Sequence, residues 1–151
     1  MNKLLQYLIS YIKKKIGKDN NVRTPDLYYY KRWEENLALA KQYEKEYNFE
    51  KALLHCRLAY NSFNKELEIQ AKQGLDMNYL TPTKVYESQL LVKMNKLDEA
   101  ISVLNTSKQL SIYKTDKQYK YAIDMAIADI VKKKEKGYIY KPRPRSKDTK
   151  K

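Results

Sequence analysis

Between residues 28 and 136 the chain contains one glycine, Gly74, and one proline, Pro82. Short strands need turn residues at every reversal, so a stretch interrupted this rarely demands long elements, and these are predicted to be helices. The remaining breakers lie at the flanks: Gly17 and Pro25 on one side, Gly137, Pro142 and Pro144 on the other. This punctuation divides the chain into an amino-terminal helix over 1–16, a linker over 17–26, a helical domain over 27–137 and a basic flexible tail over 138–151. With 42% hydrophobic residues, the 151-residue chain has enough apolar material for one contiguous core.

Apolar spacing places the helices. Tyr29, Trp33, Leu37, Ala40, Tyr43 and Tyr47 step by three and four, the period of one helical face. After a break at Asn48–Phe49, the next stripe is Ala52, Leu53, Cys56, Ala59, Tyr60, Phe63 and Leu67. Gly74 supplies a left-handed stop for this long helix. Thr81 and Pro82 form an N-cap and first-turn pair for a third helix. Asp98 opens a fourth, and a fifth runs from Thr115 to Lys134 before Gly137. The last carries Tyr119, Ala122, Ile123, Ala126, Ile127, Ile130 and Val131.

The net charge of +13 is unevenly placed. Residues 1–24 carry +5 and residues 132–151 carry +8, which leaves 25–131 neutral with fifteen basic and fifteen acidic residues. A basic cleft spanning the fold is therefore not expected, and any anionic partner should meet the two arms. The candidate contacts are Lys13, Lys14, Lys15 and Lys18 before the domain, and Lys141, Arg143, Arg145 and Lys147 after it. Past Pro142 the alternating Pro and Arg favour an extended arm.

Leu4, Leu5, Leu8, Ile9, Ile12 and Ile16 form an amphipathic stripe followed by lysines. The apolar stretch is nine residues and contains Gln6 and Ser10, against the about 20 a membrane span requires. No small-residue cleavage site follows, so neither a span nor a signal peptide is expected. The stripe suits docking on the domain, on a second copy of the chain, or on an anionic membrane surface. A single cysteine fits a reducing compartment, so the expected location is cytoplasmic, with a peripheral membrane position as the variant.

Two of the inter-helix turns align. Tyr43 matches Leu91, Phe49 matches Leu97, Glu50 matches Asp98, Ala52 matches Ala100 and Cys56 matches Leu104. On the positions Ala40–Tyr43–Ala52–Cys56–Ala59 and Ser88–Leu91–Ala100–Leu104–Ser107, the chain resembles a tetratricopeptide repeat protein over about residues 33–131. Ala122–Met125 would open a third unit at the family spacing. The chain departs from the pattern in three ways. The matching alanines Ala52 and Ala100 are 48 apart, the turns lack glycine, and the third unit lacks a second helix. The resemblance implies an all-α fold of antiparallel helix pairs stacked as a short right-handed superhelix; a plain antiparallel bundle is the alternative. Pairs of this kind cannot cover their own apolar faces and so stack on one another.

No chemistry is legible. His55 is the only histidine, and it cannot chelate with Cys56 because adjacent helical residues point apart. Zinc would need further ligands that the chain does not have. Cys56 sits at a core position, where a free thiol behaves as a small hydrophobe. Asp124 and Asp129 diverge around one helix. Tyr28, Tyr29, Tyr30 and Trp33 beside Lys31 and Arg32 could stack on bases, but Tyr29 and Trp33 fit a core face. No catalytic residue, metal or cofactor is expected.

The resemblance implies a module that binds a peptide or protein on a groove lined by the first helix of each pair. The candidate residues there are Leu37, Lys41, Glu44 and Lys45, with Val85, Gln89 and Lys93 from the next pair. The alternative is an accessory protein that contacts nucleic acid or an anionic membrane through its arms.

Overall fold

The computed structural model of the protein describes residues 28–72 and 83–143, leaving aside the side chains of 30, 63, 66–72, 111 and 112. Every regular element among these residues is helical. The order is α1 (Tyr28–Lys45), α2 (Phe49–Lys72), α3 (Thr83–Lys93), α4 (Leu97–Ser107), α5 (Ser111–Thr115) and α6 (Lys117–Glu135). The amino-terminal helix and linker, Gly74, Thr81 and Pro82, and Lys13, Lys14, Lys15, Lys18, Arg145 and Lys147 all lie outside the described residues.

Helices α1 and α2 form one antiparallel pair, α3 and α4 a second, and α6 packs on α4 and α3. Within each pair the two helices are joined by the same turn. Asn48 N–H returns to Tyr43 O and Tyr47 N–H to Glu44 O, at 2.9 and 3.0 Å. In the second pair Lys96 N–H returns to Leu91 O and Asn95 N–H to Val92 O, at 2.9 and 3.0 Å. Tyr47 (φ 60°) and Asn95 (φ 61°) occupy the left-handed position that usually falls to glycine in such a helix stop. Tyr47 therefore leaves the stripe expected of it: it lies in the turn and is 40% exposed.

The same closure ends α6. Tyr138 N–H reaches Lys133 O and Gly137 N–H reaches Lys134 O, with Gly137 at φ 64°. Seven residues before each left-handed residue stand Ala40, Ser88 and Ile130, all buried. This corrects the expected third unit. Ala122 is exposed and Met125 is 51% exposed, because the last helix packs through Tyr119, Ile123 and Ile130 instead. Val131 is also largely exposed, so the expected stripe is narrower than it reads in sequence.

Two boundaries also differ. The fourth helix stops at Ser107, where Lys108, Gln109 and Leu110 donate to carbonyls three residues back and tighten the last turn. A one-turn helix, α5, follows just before the last helix. Helix α6 begins after Asp116, whose carboxylate accepts the Gln118 and Tyr119 N–H groups at 2.8 and 2.9 Å. That N-cap satisfies two of the orphan donors of a helix start and fixes its first residue.

The core runs through both pairs: Ala40, Ala52 and Cys56, then Leu90, Leu91, Ala100 and Leu104, closed by Ile123 and Ile130. Each fully buried Leu or Ile contributes about 1.5–3 kcal/mol by leaving water. At the joint between the pairs, Trp33 Nε1 donates to Thr83 Oγ1 at 3.4 Å. Beside it the Glu87 side chain is 3% exposed and is held by Arg57 and Lys84, each at 2.8 Å. Arg57 also reaches Glu99 at 3.1 Å, so α2, α3 and α4 meet on one ion network. On the opposite face of the first pair, Leu39, Leu54 and Leu58 stay exposed.

Candidate functional site

The first helices of the two pairs stand side by side, and their facing surfaces form an open recess of about 750 Å³. Lys41, Glu44 and Lys45 line it from α1, because residues four apart share a helical face. Tyr86, Gln89 and Lys93 line it from α3. Five of the seven expected groove residues thus border one recess. Leu37 is half-buried and lines no described recess. Val85 lies one step further along α3, where it borders a second recess together with Gln89 and Lys93.

This second recess is smaller, about 250 Å³, and sits between α3 and α6. Val85, Val92, Ala126 and Ile130 give it an apolar floor. Asp129 and Lys133, paired at 2.5 Å, stand on its α6 side. Its remaining wall is Tyr138 and Tyr140, which follow Gly137. Gln89, Lys93 and Tyr140 border both recesses, so the two adjoin.

The segment after Gly137 was expected to hang free. Over Tyr138–Arg143 it runs without helix, and its backbone is tied to both inter-helix turns. Tyr140 N–H donates to Asn95 Oδ1 at 2.7 Å, and Tyr47 Oη–H donates to the Arg143 carbonyl at 3.2 Å. The Tyr140 ring meets Phe49 edge-on at 5.7 Å, and Lys133 lies 5.6 Å from the centre of the Tyr138 ring. Pro142 favours the extended course by barring Lys141 from helix. Lys141 and Arg143 are exposed at this end of the groove.

Charge inside the groove is partly self-compensated. Lys93 Nζ bonds Glu44 Oε1, and Tyr86 Oη–H donates to Glu44 Oε2 at 2.7 Å. Burial alone would raise the Glu44 carboxyl, but the bonds from Lys93 and Tyr86 outweigh it and hold Glu44 below its ordinary value. Burial, and then the Glu44 carboxylate, push the Tyr86 hydroxyl up. Glu44 and Lys93 therefore serve one another. Lys41 also acts on Glu44 through its charge, but neither it nor Lys45 forms an ion pair among the described residues.

The residues considered for chemistry are otherwise engaged. His55 Nδ1 lies 2.9 Å from Asn36 Oδ1, and its ring stacks on Tyr43 at 5.4 Å. Cys56 is fully buried with Sγ 3.5 Å from the Thr83 carbonyl, and burial pushes its thiol up to about 12. Asp124 accepts from the Tyr113 hydroxyl at 2.7 Å. Trp33 is buried, while Arg32 covers the Tyr28 ring at 5.5 Å. Among the described residues no three His, Cys, Asp or Glu side chains gather as metal ligands, and no helix is long and apolar enough to cross a membrane.

Sequence reasoning missed Tyr86, Phe49 and the α6 residues, because their place depends on how the pairs stack. Tyr138 and Tyr140 did carry a signal. Their alternate spacing after Gly137 is that of an extended segment with one face docked. No family model, curated protein or solved structure matches the chain.

Proposed function

We propose that this chain is a non-enzymatic interaction module, a short tetratricopeptide-like stack whose groove holds an acidic segment of a protein partner. One observation carries the reading: Lys41 and Lys45 line the groove with no ion pair among the described residues, and the segment whose Arg143 carbonyl accepts from Tyr47 bears the exposed Lys141 and Arg143 side chains. Positive potential concentrated in a concave, partly apolar surface attracts acidic peptides and sets their orientation. The resemblance to tetratricopeptide repeats supports the same face, since first helices line the groove in that family.

The test is partner capture from the native host, with bound proteins identified by mass spectrometry, using wild type and the Lys41→Glu/Lys45→Glu variant. Lys93 is left alone, because reversing it would set two carboxylates against each other at Glu44. Capture should be lost while stability changes by less than about 1 kcal/mol per exposed charge. Retained capture would overturn the groove reading. The competing reading, contact with nucleic acid or an anionic membrane through the arms, predicts the opposite pattern. Binding would survive the groove variant and disappear when residues 144–151 are deleted and Lys13, Lys14 and Lys15 are neutralised.

A further inference from the structure

The smaller recess adds a second requirement to the partner, and the argument for it rests on the groove reading above. At about 250 Å³ it falls below the usual 300–1,000 Å³ of sites that enclose a metabolite or cofactor. It does, however, adjoin the larger, open recess of about 750 Å³ across Gln89, Lys93 and Tyr140. Its floor is Val85, Val92, Ala126 and Ile130, and its outer wall is a pair of tyrosine rings. Lys93 and Lys133 stand among its lining residues, near enough to the tyrosine wall for Lys133 to lie over Tyr138. Lys93 is paired with Glu44 and Lys133 with Asp129, so what the recess offers is mainly its apolar floor and aromatic wall, which suit one bulky ring making edge contacts with the tyrosines.

We infer that the groove recognises an extended acidic segment carrying a single aromatic anchor. The anchor's ring fills the recess between α3 and α6 while the flanking carboxylates lie toward Lys41 and Lys45. Binding energy in such interfaces concentrates in a few aromatic side chains set in desolvated pockets, and the surrounding charges contribute orientation and association rate. The Tyr138–Arg143 segment is part of this site, as the wall that gives the recess its depth.

The test uses the full chain and defined probes. Random peptides displayed on phage are selected against it. Two fluorescein-labelled peptides, Asp-Glu-Asp-Phe-Asp-Glu-Asp and the same sequence with Ala for Phe, are then titrated by anisotropy. Selection should enrich one Phe, Trp or Tyr flanked by Asp and Glu. The Phe peptide should bind at least about tenfold more tightly than the Ala peptide, a difference of about 1.4 kcal/mol. Ala126→Trp, which fills the recess from α6, should erase that difference. Gln89→Trp narrows the mouth from α3 and, although Gln89 also borders the larger recess, serves for the Phe-to-Ala difference if the first variant melts early by circular dichroism. Lys41→Glu/Lys45→Glu should weaken both peptides.

Binders with no aromatic residue, or a Phe preference that survives both plugging variants, would overturn the anchor. If those binders still depend on Lys41 and Lys45, the groove reading stands without it. Failure to enrich any peptide, or binding indifferent to every variant, would overturn both.

Discussion

Gly137 ends α6 in the left-handed region and sets the course of the two tyrosines behind it, so its replacement tests the turn and the recess wall together. A Cβ built on Gly137 meets nothing within 4 Å, so alanine there carries no steric conflict with neighbouring atoms. What remains is the backbone cost of an L-residue in the left-handed region, about 1–2 kcal/mol. Against this stands the reduced freedom of the unfolded chain, about 0.4–1 kcal/mol in favour of alanine. Gly137→Ala should therefore destabilise by about 0.8 kcal/mol, the middle of these ranges, and lower the melting temperature by a few degrees. Gly137→Asn should lose less, because asparagine tolerates this region. Thermal melts at 222 nm give the first quantity. Hydrogen exchange of the Tyr140 N–H, which is bonded to Asn95, reports whether the wall loosens. A Gly137→Ala variant that melts with wild type, or an Asn variant as damaged as the Ala one, would refute the assignment of the cost to backbone conformation.

Three further outcomes are expected. At pH 8 only about one Cys56 thiol in ten thousand is ionised if its value lies near 12, so thiol reagents should react at the rate of unfolding; fast labelling in native buffer would contradict the core position. Glu44 is held below its ordinary 4.5, so it contributes stability above that pH and loses it as the pH falls through the lowered value; urea melts from pH 7 to 3 should show Glu44→Gln and wild type converging toward acid. Arg57→Ala leaves Glu87 to Lys84 alone and should cost about 2–3 kcal/mol, and adding Glu87→Leu should recover much of it; a strictly additive double variant would deny the coupling.

The helical class was legible because the chain has few breakers and its apolar residues keep helical spacing over long runs. The first two stripes place Ala40, Ala52, Cys56 and Ala59 correctly in the core. Both turns were legible, one from the break at Asn48–Phe49 and the other from its alignment with the first, but nothing local showed that Tyr47 and Asn95 take the left-handed conformation that usually falls to glycine. Asp116 was an available cap, and passing over it put the start of α6 at Thr115. The spacing of the last helix failed for a physical reason: a fixed family repeat cannot anticipate that Ile130, not Ala122, stands seven residues before the turn. On the site, it was the resemblance to tetratricopeptide repeats that put Lys41, Glu44, Lys45, Gln89 and Lys93 on facing helices. Nothing local in the sequence could show that Glu44 and Lys93 neutralise one another, because their contact spans two pairs. The docking of Tyr140 on Asn95 and Phe49 depends in the same way on the completed stack.

Glu87 has a bearing on errors of assembly. A helix pair with two apolar faces would stack on many surfaces, including the equivalent pair of another copy, since greasy contacts discriminate poorly. A carboxylate placed in the middle of the contact changes that. A neighbouring surface that brings no guanidinium to the position of Arg57 leaves the buried carboxylate to Lys84 alone, at a cost of a few kcal/mol. The ion network at the joint thus acts on the encounters that the chain does not complete. It adds little to the correct stack beyond what leucine would, but it disfavours shifted registers of one pair on the other.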